Sequence, residues 1–295
     1  MSSAANSNIK QFWNENPVGS NFIDYKQDRS FYESYDEFRY RTEGHILGEL
    51  DAINFKGKKV LEIGLGQGAD SMQIINRGAL YYGIDLTEES VRRVKERFQL
   101  FGKPYQEVQV ANAEHIPYAD NSFDIVYSHG VIHHSPNIEK ITSEIHRILK
   151  PGGQAVIMLY HQNSYNYYVS IALLRRVGLF MLLPFPFLAK VISKATGESV
   201  DRINRHKFYL KREGLSYFKM QNFVHRSTDG PDNVYASVWT ARSARKLFSQ
   251  FMEITTRVHF LNERHLLGIQ YILPSSLKKA MARNYGWHLW IKATK

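Results

Sequence analysis

The chain has 295 residues, is 43% hydrophobic and carries a formal net charge of +10, enough to bury the core of one domain, or of one domain with a cap. It contains no cysteine, which excludes disulfides, thiolate zinc sites and cysteine nucleophiles. The opening residues Met1 to Ser7 are polar with no secretory leader pattern, and no apolar run reaches the roughly eighteen residues of a spanning helix, so a cytoplasmic location is expected.

Residues 1–55 are rich in aromatic side chains, among them Phe12, Trp13, Phe22, Tyr25 and Tyr40. Tyr32, Tyr35 and Phe38, then Ile46, Leu47, Leu50 and Ile53, recur at helical spacing, which predicts two helices. We place this arm as a lid over the mouth of the site that follows, where Tyr25 or Tyr40 could touch a ligand.

In residues 56–160 strands alternate with helices. Lys58 to Ile63 reads as a first strand, and its apolar run meets Gly64, Gly66 and Gly68 before a helix from Ala69 to Arg77. Glycines there allow positive φ and let the backbone approach a ligand closely. Glu62 sets a carboxylate just before the turn, where it would repel a pyrophosphate but accept hydrogen bonds from an amino-bearing ligand. The second strand, Leu80 to Asp85, ends in an acid suited to a ribose diol, and Thr87 then caps a helix running to about Phe101. Val108 to Ala111 and Phe123 to Ser128 are the third and fourth strands, with Asp124 as a structural anchor. A helix from Ile138 to Leu149 is followed by a turn at Pro151-Gly152-Gly153 and a fifth strand to Tyr160. Such alternation means a parallel α/β sheet with ligands at its carboxyl edge.

Gly64-x-Gly66-x-x-Ala69 by itself also fits a dinucleotide fingerprint. Further on come Asn112-Ala113-Glu114-His115-Ile116-Pro117-Tyr118, then Phe123-Asp124-Ile125-Val126-Tyr127-Ser128-His129-Gly130, then Leu149-Lys150-Pro151-Gly152-Gly153, each at the end of a successive βα unit. As an ordered set these motifs resemble the class I S-adenosylmethionine-dependent methyltransferases, in the small-molecule branch that includes the ubiquinone-biosynthesis type and the type 11 family. The likeness runs from about Gly57 to Tyr160.

That resemblance implies a Rossmann-like, seven-stranded methyltransferase sheet whose last strand is antiparallel, with S-adenosyl-L-methionine as cofactor. By position, Gly64, Gly66 and Gly68 would lie against the methionine and ribose portions, with Glu62 beneath the amino group and Asp85 on the ribose hydroxyls. Leu86 would pack on the adenine, Asn112 and the backbone of Ala113 would read its edge, and Ser128 would supply backbone contacts near the methionine. The family usually has Asp where this chain has Asn112; an amide can still accept a hydrogen bond from the adenine amine.

Methyl transfer to an O–H or N–H acceptor calls for a base, a task that suits histidine. His133 and His134, after the fourth strand, are the first candidates, and His161, after the fifth, is the next; a mechanism of positioning needs no base. A metal is not expected. His129 and His133 stand four apart on a strand-to-loop segment, which does not put them on one face, and no cysteine or carboxylate completes a set.

Residues 161–235 break the βα rhythm and read as a helical cap insertion, and residues 236–295 as the C-terminal part of the core. In this last part Thr240 to Phe251 is expected to be a helix, with strands at Glu253 to Phe260 and Tyr285 to Ala293. Within the cap, Val177 to Ala189 is apolar but broken by Pro184 and Pro186, which favours a helical lid closing on a greasy substrate over an interfacial element resting on anionic lipid, and His225 to Asn233 is dense in turn formers. Residues 1–160 have net charge −4, 161–235 have +6 and 236–295 have +8. The basic excess in the second half points to an anionic partner, such as an acidic substrate or an anionic membrane touched from its surface, or to a solvated face. The reading is thus methyl transfer to a small, hydrophobic acceptor that can carry an anionic group. A NAD(P)-dependent oxidoreductase, a non-catalytic S-adenosylmethionine-binding module and a nucleic-acid methyltransferase are the rivals. The last is disfavoured because Ser128-His129-Gly130 stands where base-modifying enzymes have Asn/Asp-Pro-Pro-Tyr/Phe. The oligomeric state is not legible.

Overall fold

The computed structural model describes all residues except 1, 20–24, 183, 184, 186, 197, 198 and 267; Phe22, Pro184 and Pro186 lie outside the described residues. The chain divides into two compact units. Met1–Leu159, Arg242–Thr256 and Trp290–Lys295 form the first, and Tyr160–Ala241 and Arg257–Leu289 the second.

The first unit holds most of a seven-stranded sheet: β1 (Lys59–Ile63), β2 (Leu80–Asp85), β3 (Glu107–Val110), β4 (Phe123–His129), β5 (Leu149–Tyr160), β6 (Met252–His259) and β7 (His288–Thr294). The strand order is β3-β2-β1-β4-β5-β7-β6. β1 pairs in parallel with β2 and β4, and β2 with β3. β7 runs antiparallel beside β5: Gly152 N–H donates to Lys295 O at 2.8 Å, and Lys295 N–H to Gly153 O at 2.9 Å, so the end of one strand meets the start of the other. The centres of β1, β4 and β5 are buried and mostly apolar, as strands covered on both faces require.

Helices α4 (Ala69–Asn76), α5 (Glu88–Phe101) and α6 (Ile138–Ile148) cross between strands. Thr87 Oγ1 accepts from Ser90 N–H at 3.3 Å, and Glu88 and Glu89 fill the first turn of α5, where acids favour the positive helix end. In α6, Ile138, Ile141, Ile145 and Ile148 are buried at the spacing of one helical face. Asp124 anchors strand edges as expected, accepting from Lys59 N–H and Lys150 Nζ, both at 2.8 Å.

Three local expectations are corrected. The arm holds three helices, α1 (Ser2–Glu15), α2 (Arg29–Thr42) and α3 (His45–Asp51), and the first of them went unread because its residues are mostly polar. Pro151-Gly152-Gly153 lies inside β5 as a kink, with Gly152 at φ +75° and a register shift opposite Phe123 to Ile125. His225 to Thr228 closes a helix instead of opening a turn.

The second unit is largely helical: a π-helical run Asn166–Arg175, then α7 (Arg176–Leu182), α8 (Leu188–Thr196), α9 (Val200–Glu213) and α10 (Met220–Thr228). Its core gathers Ile171, Leu179, Ile203, Leu210, Tyr217 and Phe223. Helix α11 (Ala241–Leu247) precedes β6, and α12 (Ser275–Tyr285) precedes β7. Among the described residues no helix is long and apolar enough to cross a membrane.

Candidate functional site

The parallel register brings the carboxyl ends of β1, β2, β3 and β4 to one edge, with Ile63 beside Ile84 and Asp85 beside Val110. There the first unit opens a cavity lined by Gly64, Gly66, Asp85, Leu86, Asn112 and Ala113. The loop after β1 takes the shape that its glycines allow. Gly64, Gly66 and Gly68 have φ of +81°, +52° and +74°, a region that costs any residue with a Cβ. A Cβ on Gly64 would stand 2.2 Å from Val131 Cγ2, whereas one on Gly66 would meet Val18 only at 3.9 Å, because Gly66 faces the open cavity. Gly68 caps α4 and packs behind the loop, against Val94 and Arg97.

Asp85 organises this loop from below. Its Oδ2 accepts from Leu65 N–H at 2.7 Å, and its Oδ1 accepts from Thr87 N–H at 2.8 Å and Thr87 Oγ1 at 2.7 Å. Burial still holds the carboxyl above its usual range, against these hydrogen bonds. Much of its acceptor capacity is therefore used by the protein. Asn112 Oδ1 accepts from Glu114 N–H at 2.9 Å, which leaves the amide donors and one lone pair. Glu114, to which the sequence assigned no role, lines the cavity, is buried, and accepts from Ser135 Oγ at 2.8 Å and Asn137 Nδ2 at 3.1 Å.

The cavity is covered by α1 and the segment after it, through Asn6, Ile9, Trp13, Pro17 and Val18. α1 is fastened to the first turn of α5, where Lys10 pairs with Glu88 and Asn14 Nδ2 donates to Glu88 at 3.1 Å, and the segment after α1 is held to the glycine loop, where Gln67 Nε2 donates to Val18 O at 2.8 Å. α2 and α3, the two helices legible in the sequence, instead pack on α4, and α2 also on α5. Tyr40 Oη donates to Asp70 at 3.1 Å and Tyr25 Oη to Glu96 at 2.8 Å; neither ring lines the cavity. The available signal for α1 was Ile9, Phe12 and Trp13, three and four residues apart.

Glu62 and Ser128 support the loop from the protein side. Ser128 Oγ donates to Ile63 O at 2.9 Å. Glu62 is buried, and Ser71 Oγ of α4 and Tyr81 Oη of β2 both donate to its Oε2 at 2.5 Å. Burial, aided by nearby Asp70 and opposed by the two hydroxyls, pushes its carboxyl up to about 8. Stability from this raised group is fully present below its unfolded value, near 4.5, and is lost as the pH rises through about 8. Glu62→Gln, neutral throughout, should therefore gain on the native chain in melting temperature between about pH 6 and about pH 9. Parallel melting curves at both pH values would contradict this.

The histidines separate. His134 lines the cavity and meets the Trp13 ring edge-on at 5.1 Å. His133 is fully buried, with ring centroids 4.4 Å from His134. Both sit in a short 3-10 turn, Ile132–His134. His129 Nδ1 faces Arg39 Nη2 at 3.2 Å and so accepts; burial, then the Arg39 charge, holds this ring neutral, well below the ordinary histidine value. His161 belongs to the second unit, where its Nδ1 donates to Gly286 O at 3.0 Å and burial lowers its pKa.

A family model described as a methyltransferase domain matches residues 61–157. A phosphatidylethanolamine N-methyltransferase of Cereibacter sphaeroides is 30% identical over 132 residues, 44% of this chain and 61% of that protein. A phosphoethanolamine N-methyltransferase of Caenorhabditis elegans is 34% identical over 105 residues, 35% of this chain and 24% of its own length. A sterol 24-C-methyltransferase of Gibberella zeae is 34% identical over 155 residues, 49% and 39% of the two chains. The chain thus spans between about a quarter and three fifths of the length of these curated relatives. Among solved structures, a Pyrococcus horikoshii protein superposes with a TM-score of 0.51 at 17% identity, over 97% of this chain and 98% of that one. A Methanosarcina mazei S-adenosylmethionine-dependent methyltransferase does so with 0.51 at 19% identity, over 81% and 93%. These two likenesses establish the fold.

Proposed function

We propose that residues 61–157, which match a family model described as a methyltransferase domain, form a class I S-adenosylmethionine-dependent methyltransferase domain, and that the chain methylates a small, hydrophobic acceptor. The observation that carries the reading is the convergence of Gly64, Gly66, Asp85, Leu86, Asn112 and Ala113 on one cavity. The residues fit the cofactor. Gly66 leaves open space where a side chain would intrude, and Asp85 and Asn112 present polar groups beside the apolar Leu86.

When bound, S-adenosylmethionine supplies an electrophilic methyl group on a positively charged sulfonium. The chain's own part is to bind, orient and exclude water. Backbone at Gly64 and Gly66 would carry the methionine portion, Asp85 would accept from the ribose hydroxyls with its remaining lone pairs, and Leu86, Asn112 and Ala113 would hold the adenine. Ile9, Trp13 and Val18 close the opposite side with apolar surface, which keeps water from the reacting centre and suits a greasy acceptor. Relatives named for a phosphatidylethanolamine and a sterol support an acceptor of that character. Isothermal titration should give one-to-one binding of S-adenosylmethionine and of S-adenosylhomocysteine; no measurable heat with either ends the proposal. Mass spectrometry of cell extract incubated with the chain and isotopically labelled methyl donor then identifies the acceptor.

Of the three candidate bases, His134 is the one on the cavity wall. As the group that takes the acceptor proton, its replacement by glutamine should lower kcat by about a hundredfold or more with the Kd for S-adenosylhomocysteine nearly unchanged. An unchanged kcat would leave a reaction run by positioning.

A further inference from the structure

We propose that the helix pair α7–α8 of the second unit docks on the surface of an anionic phospholipid bilayer. In α7, Leu179 is buried in the unit's core, while Val177, Phe180 and Met181, three and four residues apart, are about half exposed or more. They share the outward face of the helix. The connection to α8 adds Phe185 and Phe187, exposed and with ring centroids 5.9 Å apart. α8 repeats the division, with Ala189 buried and Val191 exposed. A soluble surface gains nothing from holding several large apolar side chains in water, so a contiguous set marks a docking face.

Charge decides the occupant. Residues 161–196 contain Arg175, Arg176, Lys190 and Lys194 and no Asp or Glu, and Lys190 and Lys194 are exposed beside Val191. A second copy meeting the same face across a two-fold axis would set these cations against their own images. An anionic bilayer satisfies both features, since apolar side chains enter the acyl boundary while lysines remain among the lipid phosphates. Seven residues in α7 and nine in α8 are too few to cross a bilayer, so the pair rests on it.

The test is cosedimentation of the full chain with phosphatidylcholine vesicles and with equimolar phosphatidylcholine–phosphatidylglycerol vesicles. We expect binding to the mixed vesicles that weakens with salt, and little to the neutral ones. Phe180→Ser with Phe187→Ser should weaken it about tenfold or more, and Lys190→Gln with Lys194→Gln about tenfold. Both pairs are exposed, and circular dichroism verifies that each variant is folded; if one pair fails to fold, the other decides. Equal binding to both vesicle types, or binding to neither, overturns the proposal. So does a concentration-dependent dimer in sedimentation velocity that the phenylalanine pair abolishes, which would assign the face to a second copy. None of these outcomes depends on methyl transfer.

Discussion

Gly64→Ala should weaken S-adenosylhomocysteine binding by about a hundredfold or more, the scale on which a displacement near 1 Å disturbs a positioned ligand. Two effects act together. Residue 64 has φ +81°, where an L side chain costs about 1–2 kcal/mol. The new Cβ would also stand 2.2 Å from Val131 Cγ2, so either the loop or the segment after β4 must move, and both line the cavity. Gly57→Ala separates the terms: it shares a positive φ, +70°, but a Cβ there meets nothing within 4 Å. It should cost about 1 kcal/mol of stability and leave binding intact. Native-like affinity in Gly64→Ala, measured by titration, would refute the assignment of this loop to the cofactor.

Arg39→Met should cost about 3–5 kcal/mol of unfolding free energy, as expected for breaking a buried ion pair from one side. Arg39 holds Asp70 through two contacts, Nε to Oδ1 at 3.0 Å and Nη2 to Oδ2 at 2.8 Å, and both side chains are largely buried. Tyr127 and Tyr40 add hydroxyl donors at 2.8 and 3.1 Å, but neither brings charge. Burial pushes the Asp70 carboxyl up, yet Arg39 and the hydroxyls outweigh it and hold the carboxyl below its usual value. A depressed group stabilises the fold above the unfolded carboxyl value and loses that contribution as the pH falls through its folded value. Without Arg39 the buried carboxylate is uncompensated, so the loss should be largest near neutral pH and shrink toward acid, where Asp70 takes a proton. Denaturant unfolding at two pH values reads this directly; a loss below about 1 kcal/mol, the range of surface pairs, would contradict it. Asp70→Leu combined with Arg39→Met should recover much of the stability.

The glycine loop after β1 was legible because its signals are local. An apolar run, three glycines at alternate positions and a following helical pattern need no distant partner to be read, and β2, α5 and β4 likewise appear within a residue or two of their expected bounds. Helix α1 was not legible. Its residues are mostly polar, and its few apolar ones divide between packing, as with Phe12, and lining the cavity, as with Trp13. Glu62 and Asp85 show a subtler limit. Each was found as an acid at a strand end, yet Glu62 is engaged by Ser71 and Tyr81, and Asp85 by Leu65 and Thr87.

By itself, then, the sequence determined the alternation of strands and helices from β1 to β5, the parallel edge where the candidate site lies and the backbone shape of its first loop, since all of these follow from short-range periodicity and from glycine's missing Cβ. Only the tertiary structure decided that α1 covers the cavity, that His134 and not His133 lines it, and that residues 257–289 join 160–241 in a second unit. The first of these depends on groups far apart in the chain meeting in space, Lys10 with Glu88 and Gln67 with the Val18 carbonyl, and no local pattern encodes which of them will meet.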